Sequence, residues 1–293
     1  MTYTLGELLF DVYSALGQIT TFKASGGSTT TAVKTGTGYT QTNLTGALIV
    51  RETTDGLAPQ HEFEEVTSFA PSTGTFTVGT ALSATIGAGD LFGYASPLYP
   101  LQQVIENINE GLRWLGDLYL VDTTTLDSAS NQTEYAASLT WKRRPPVQID
   151  IQGNTSDSND NRWVTENNWY YVPAAPGSTG LIVFNEQPVP SRDLRIWYQD
   201  KHPRVNTYAD NIAEVIAPEL AVAVCAEKAL LWQVNRTQGS EKSIVSAHSQ
   251  AMENRDRAIG EHPIWKPKTS GKIFHGHGTS YVPDAGEPNK VRL

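Results

Sequence analysis

The sequence has very little cysteine and no long apolar segment. Cys225 is its one cysteine, which excludes an internal disulfide framework and a cysteine-based metal cluster. No apolar run approaches the roughly 18 residues that a membrane-spanning helix requires. The N-terminus lacks the basic and apolar regions of a secretory signal. We therefore expect a soluble protein that folds in a reducing compartment and contacts no membrane.

Charged residues are also scarce, at 18% of the chain. The 22 basic and 31 acidic residues give a net charge of −9, which argues against nucleic-acid binding over a broad surface. Thr, Ser, Asn, Gln and Gly make up the share of the composition that charged and apolar residues leave. This composition favours β structure with many turns and argues against a coiled coil.

Sequence motifs for catalysis and for ligand binding are missing too. There is no nucleophile elbow and no complete phosphate-binding loop. His275 and His277 supply only two ligands in a glycine-flanked segment, which is too few for a closed metal site. Cys225 lies in the most apolar predicted helix, where a cysteine fills the core. The sequence predicts a protein that is not an enzyme, with no catalytic residues, cofactor or metal.

Helical periodicity is present in four separated segments. The first covers residues 4–17, with Thr4 as cap and Gly17 as terminator, and the second starts after Pro97 and Pro100. A third helix runs from Pro218 to about Asn235, and Ser240 caps a fourth. Their apolar stripes lack partners nearby in sequence, so we expect one shared core formed by Leu8, Val12, Ile105, Ile108, Leu112, Leu220, Val224, Leu231, Val245 and Met252.

Strand patterns fill the segments between these helices. Turn clusters every eight to twelve residues or so predict a small antiparallel barrel or sandwich over residues 20–96. A second β module follows over 122–203, with strands predicted at residues 135–141, 147–151, 169–172, 180–184 and 194–198.

The predicted fold class is therefore α+β: a discontinuous four-helix bundle with two inserted antiparallel β modules and an extended C-terminal tail. The bundle comprises residues 1–19, 97–121 and 204–260, and the β modules are the insertions at 20–96 and 122–203. Residues 261–293 form the C-terminal arm, because glycines and prolines interrupt every helix or central strand there.

The C-terminal arm combines basic and large apolar residues. From Pro263 onward it carries a net charge of +3 on an otherwise acidic chain. Such a segment suits docking on a partner surface. The residues predicted to bind that partner are Trp265, Lys266, Lys268, Lys272, Ile273, Phe274, Tyr281 and Arg292.

Four aromatic residues cluster beside a polar loop: Trp163, Trp169, Tyr170 and Tyr171. Trp and Tyr are favoured at protein interfaces and on sugar-binding faces, which makes these residues candidates for an exposed interface. The competing interpretation places them in the core of the second β module, and the pattern favours it slightly.

Two stretches of the sequence resemble proteins of tailed bacteriophages. Residues 45–51 (TGALIVR) and 86–93 (IGAGDLFG) are similar to β modules that recur in virion proteins. Residues 188–198 (PVPSRDLRIWY), followed by Pro218-Glu219-Leu220 and its helix, resemble head-to-tail connector proteins of the neck, the adaptor family. The resemblance covers mainly residues 97–260 and rests on the order of elements.

This resemblance implies a structural adaptor that forms an oligomeric ring, commonly of twelve subunits, between the portal and the tail. The implied partners are further copies of the chain, the portal protein and a downstream neck or tail protein, with double-stranded DNA passing through the lumen. The implied location is the virion neck, after assembly in the host cytoplasm. The alternatives are a tail-tube or tail-completion protein and a carbohydrate-binding module of a fibre.

Overall fold

The first helix shows how closely local sequence and structure agree. The computed structural model describes residues 3–124, 126–138, 141, 144–153, 162–173, 178–264 and 272–273. Helix α1 spans Leu5–Ala15, and a capping box joins Thr4 and Glu7, whose side chains accept from each other's backbone N–H groups. Gly17 follows in the left-handed region at φ 65°, where a residue without Cβ is unstrained.

The chain divides into two compact units. The first comprises Met1–Leu118 and Lys201–Trp265, and the second comprises Tyr119–Asp200 and Lys266–Leu293. The second unit is thus largely an insertion into the first.

The first unit contains a seven-stranded antiparallel sheet in the order β1-β7-β4-β5-β6-β3-β2. Most residues of its core lie on alternating strand positions, with Phe76 and Phe92 fully buried. The strands are β1 (Ile19–Lys23), β2 (Gly26–Gly27), β3 (Thr31–Val33), β4 (Gly46–Glu52), β5 (Phe63–Ala70), β6 (Thr75–Val78) and β7 (Leu91–Ala95).

Three further helices complete the first unit: α2 (Leu101–Trp114), α3 (Pro218–Arg236) and α4 (Lys242–Glu261). Helix α3 contacts all the other helices, so it is the central one. Gly111 of α2 lets the backbones of α2 and α3 approach closely, because a Cβ there would lie 3.1 Å from both Cα and Sγ of Cys225.

The second unit is a sandwich of two four-stranded sheets. One sheet has the order β11-β10-β14-β8, the other β15-β12-β13-β9, and side chains of both form a common core around Ile149, Trp169 and Leu194. The strands are β8 (Leu118–Asp122), β9 (Glu134–Ala136), β10 (Pro146–Gln152), β11 (Trp163–Glu166), β12 (Trp169–Val172), β13 (Leu181–Phe184), β14 (Leu194–Asp200) and β15 (Lys272–Ile273).

The prediction of a four-helix bundle with small β insertions is wrong. The described residues form three sheets and four helices, and the sheets dominate the fold. The apolar stripes predicted the positions of the helices correctly, but they did not predict how many residues of each helix are buried. Helix α4 buries only Ala251 and Ala258, so it adds little to a common helical core.

The predictions of burial for individual residues of the helices are partly confirmed. Seven of the ten residues expected in the helical core are buried: Leu8, Val12, Ile105, Ile108, Leu112, Leu220 and Val224. Leu231 is half-buried, and Val245 and Met252 are exposed. The prediction of burial is therefore wrong for Val245 and Met252, because α4 meets α3 through alanines on another side of its surface.

Some element boundaries also differ from the prediction. Helix α2 ends at Trp114, and Leu118 begins strand β8, although the sequence continued the helical stripe through Leu118. The cap of α4 is Glu241, while the Ser240 hydroxyl donates to the Thr237 carbonyl at 2.7 Å. The strand predictions for the second module find counterparts in β9, β10, β12, β13 and β14.

Candidate interaction site

Beyond Ile264, the C-terminal arm is described only at Lys272–Ile273. These residues form β15, which pairs in parallel with Tyr170 and Tyr171 at the edge of its sheet. The sequence excluded a central strand in this arm, and an edge strand is compatible with that expectation. The other predicted partner-binding residues lie outside the described residues: Trp265, Lys266, Lys268, Phe274, Tyr281 and Arg292.

The aromatic cluster of the second unit lies largely in its core. Trp169 and Tyr171 are 1% and 3% exposed, and the Trp169 indole donates to the Glu166 carbonyl at 3.0 Å. The core interpretation is confirmed for these two residues, which leaves them no exposed face in the single chain. Trp163 and Tyr170 are partly exposed, and an interface role for them stays a prediction.

Trp163 belongs to a cluster of polar and aromatic side chains on the other face of the β11-β10-β14-β8 sheet. The Arg195 guanidinium lies 4.6 Å from the Trp163 ring centroid and 5.4 Å from that of Trp197. The buried Asp150 carboxylate accepts hydrogen bonds from Arg195 Nε at 2.9 Å and from Trp197 Nε1 at 2.8 Å. It also accepts one from Thr165 Oγ1 at 2.9 Å. These bonds fix Arg195 in the sheet, so the cluster stabilises the unit.

A second cluster surrounds Trp114 at the C-terminal end of α2. Its ring is 46% exposed, with Arg255 Cζ of α4 at 4.9 Å and Lys228 Nζ of α3 at 5.4 Å from the ring centroid. Both cations also approach the buried carboxylate of Glu227, at 3.7 and 3.5 Å. His248 Nε2 lies 3.2 Å from the same carboxylate. Both cations contact the partly exposed Trp114 side chain, and tryptophan is enriched among the residues that dominate protein interfaces.

Helix α4 carries further exposed apolar residues. Val245, Met252 and Ile259 are each 37–40% exposed, although all three are large apolar residues. They repeat at intervals of seven residues, so they line one side of the helix. We call these three residues the ridge.

A groove lies beside α4 in the first unit, with a volume of about 680 Å³. It is lined by the C-terminal end of α1, by α3 and by α4. Small residues make up much of its lining: Ala15, Ala223, Ala226, Ala247, Ala251 and Ala258. Its rim carries charged residues, including Glu219 and Arg257. We call this feature the groove.

Sequence reasoning missed the groove and the Trp114 cluster. Glu227 gave a signal, because a lone carboxylate within an apolar helix requires cationic partners when it is buried. The sequence did not show that Lys228, His248 and Arg255 supply them, since these residues come together only when α3 and α4 pack.

Cys225 lies in the core, as the sequence predicted. The residue is fully buried, and burial raises the pKa of its thiol. Its Sγ lies 3.7 Å from the Ile108 carbonyl oxygen of α2, so it acts as a packing group between two helices.

The part of the chain that the structure describes contains no cluster of three or more His, Cys, Asp or Glu side chains suited to a metal ion. Within the same residues, no helix combines the length and apolar character needed to cross a membrane. Comparison of the chain with known protein families and with curated proteins gives no match. The described residues thus form a two-unit, β-rich fold with several exposed apolar residues on the first unit.

Proposed function

We propose that this protein is a structural component of a tailed-bacteriophage virion, a head-to-tail adaptor that assembles as a ring in the neck. The observation that carries the proposal is the set of exposed large apolar residues on the first unit, the ridge and Trp114. A helix that buries only two of its 20 residues in the single chain gains most from burial in an assembly. The sequence resemblance to neck proteins supplies the biological setting.

The partners of such a ring are neighbouring copies, the portal protein above and a neck or tail protein below. Genomic DNA would cross the lumen. A net charge of −9 suits that passage, because acidic subunits do not hold the phosphate backbone. The proposed site of action is the virion neck, reached after assembly in the host cytoplasm.

The test is negative-stain electron microscopy of the purified full-length chain, alone and mixed with the purified portal ring. We expect closed rings with a central opening, stacked coaxially on the portal. A chain that neither forms rings nor binds the portal would contradict the proposal.

A tail-tube or tail-completion protein is the second candidate, and the predominance of sheets favours it. The same micrographs separate the two functions, because a tube protein would stack into hollow filaments without the portal. The carbohydrate-binding alternative loses support, since burial of Trp169 and Tyr171 removes two of the four aromatics of its binding face.

A further inference from the structure

We propose that α4 carries both halves of the contact between neighbouring subunits: the ridge of one copy inserts into the groove of the next. This inference rests on the proposed ring and identifies the surfaces that would close it.

The ridge has the form of an inserting surface. Seven residues turn an α-helix by about 700°, so Val245, Met252 and Ile259 lie nearly above one another. Each is more than a third exposed in the single chain, which leaves a row of large apolar side chains facing solvent. Removing such a row of apolar side chains from water in an interface favours association.

The groove has the form of a receiving surface. Alanines of α3 and α4 leave space in it, and Leu16, Val222 and Leu230 add larger apolar side chains to its lining. Large side chains on one helix fit between small ones on another, as in ridges-into-grooves packing. A volume of about 680 Å³ leaves room for the side chains of all three ridge residues.

The two surfaces lie on opposite sides of the same helix. The ridge begins at Val245, and the groove stripe of α4 begins two residues later at Ala247 and continues through Asn254 and Glu261. Two residues turn the helix by about 200°, so a single copy cannot bring its own ridge into its own groove. A second copy that is displaced sideways can place its ridge in the groove of the first copy. Such a contact is head-to-tail, and a head-to-tail contact that closes by rotation produces a ring.

Two adjacent charges fit this arrangement. Asp256 stands beside the ridge with its side chain 65% exposed, and its carboxylate accepts from the Arg255 guanidinium of its own helix at 2.7 Å. Arg257 lines the groove and donates to Asn254 Oδ1 at 3.1 Å. When the α4 helices of neighbours run parallel, Asp256 of one copy meets Arg257 of the next at the same height. This pair would set the register between the two α4 helices.

The groove rim carries further charges. Asp11, Glu219 and Glu261 are acidic, and Asp11 lies 3.5 Å from Arg51 within its own chain. Arg257 is therefore the cation of the rim that an incoming Asp256 would select.

The experiment uses two variants of the full-length chain that each lose one surface. Met252→Glu places a charge on the ridge, and Ala247→Trp fills the groove; both positions are exposed, so the fold should survive. Val164→Glu, at an exposed apolar residue of the second unit, is the matched control. Assembly is followed by mass photometry over a range of protein concentrations, with and without the portal ring.

We expect each of the two variants to need at least a tenfold higher concentration than wild type for half assembly, while Val164→Glu behaves as wild type. The decisive sample mixes the two variants. The intact groove of Met252→Glu can accept the intact ridge of Ala247→Trp, so the mixture should yield one-to-one heterodimers and no rings.

Failure of this inference differs from failure of the proposed function. Rings that form equally well from wild type and both variants would overturn the ridge-in-groove contact and leave the adaptor function standing. A mixture that stays monomeric would exclude the head-to-tail geometry. A wild-type chain that stays monomeric with and without the portal would contradict both proposals.

Discussion

Asp150 and Arg195 form a hydrogen-bonded ion pair across neighbouring strands β10 and β14, with Arg195 Nε donating to Asp150 Oδ2 at 2.9 Å. The carboxylate is 1% exposed. Burial by itself would raise the pKa of Asp150, but hydrogen bonds from Trp197, Gln148, Arg195 and Thr165 outweigh it and lower the pKa.

We predict that Asp150→Asn destabilises the protein by about 2 kcal/mol, because Arg195 loses the charge that balances it. The folded-state pKa lies below the ordinary value of about 4, so the carboxylate stabilises the fold above that pH. The stabilisation disappears as the pH falls through the folded-state pKa. Urea unfolding at pH 7 and near pH 3 measures both effects. Asp193→Asn, at an exposed carboxylate of the same unit, should change little, and an equal loss in both variants would contradict the prediction.

His202 should make the stability of the fold depend on pH in a range closer to neutrality than that of Asp150. Its ring is buried between the Pro203 carbonyl oxygen, 2.6 Å from Nδ1, and the Ala213 N–H, which donates to Nε2 at 3.0 Å. An Nε2 that accepts carries no proton, so the folded protein holds the neutral ring, and burial lowers the pKa of His202.

Because the unfolded state takes up the proton more readily, stability is complete above a pH of about 6.5 and declines below it, by up to about 1.4 kcal/mol per pH unit. We expect His202→Gln to flatten this decline between pH 7 and pH 5.5 in thermal unfolding. His262→Gln, at a histidine of intermediate exposure beyond α4, is the comparison. A decline of equal slope in His202→Gln and wild type would show that other groups cause it.

Two glycines within helices should respond to alanine with opposite signs. At Gly111 a new Cβ would lie 3.1 Å from Cα and Sγ of Cys225, in a part of α3 that is buried and cannot move aside easily. At Gly260 of α4, nothing lies within 4 Å of the added Cβ. Alanine favours a helix over glycine by up to about 1 kcal/mol. Gly260→Ala should therefore stabilise, and Gly111→Ala should destabilise by about 1–3 kcal/mol.

Chemical denaturation of the two glycine variants side by side gives the comparison. A gain in stability from Gly111→Ala would mean that α2 and α3 can separate without cost.

Apolar truncations should separate core helices from the exposed helix. Ile108→Ala should cost about 2–5 kcal/mol, because Ile108 is fully buried in α2. Leu231→Ala should cost about half as much at a half-buried site. Met252→Ala should change the stability of the monomer by less than about 0.5 kcal/mol. Denaturant unfolding below the assembly concentration checks the ranking, and a large loss for Met252→Ala would indicate burial within the single chain.

Removal of residues 263–293 tests the C-terminal arm. We predict that the shortened chain keeps its folded body, because only β15 at a sheet edge would be lost from the described elements. Attachment to the portal ring should be abolished, since the arm carries basic and aromatic residues suited to an acidic partner surface. Circular dichroism measures the first expectation and co-sedimentation with the portal ring the second. Normal attachment of the shortened chain would contradict the prediction that the arm attaches the protein to the portal ring.

Local sequence signals predicted the start of several elements well. The Thr4 and Glu7 capping box and Pro218 each mark a helix start in the structure, because these signals act within one turn of chain. Strand β12 was predicted at its exact bounds for a similar reason, since a run of aromatic residues favours a strand.

The arrangement of the elements could not be obtained in this way. Val245 and Met252 have the same local pattern as Val224, yet α4 turns them away from α3 and leaves them exposed. The site depends on such tertiary choices: Trp114, Arg255 and Glu227 come from three helices and have no shared sequence pattern. Periodicity identifies an apolar side of a helix, but it does not say whether that side is buried within the chain or awaits another molecule.

The insertion of residues 119–200 into the first unit also sets the order in which the chain folds during synthesis. Helix α2 leaves the ribosome about a hundred residues before α3, the helix on which α1 and α2 pack. At about 5–20 residues per second, that interval lasts roughly 5–20 seconds. Strands β9 to β14 lie close together in sequence and can pair during this time. The apolar sides of α1 and α2 remain without their packing partner until α3 is synthesised. The first unit is thus begun first and finished last, and the nascent chain is most prone to aggregation before α3 emerges.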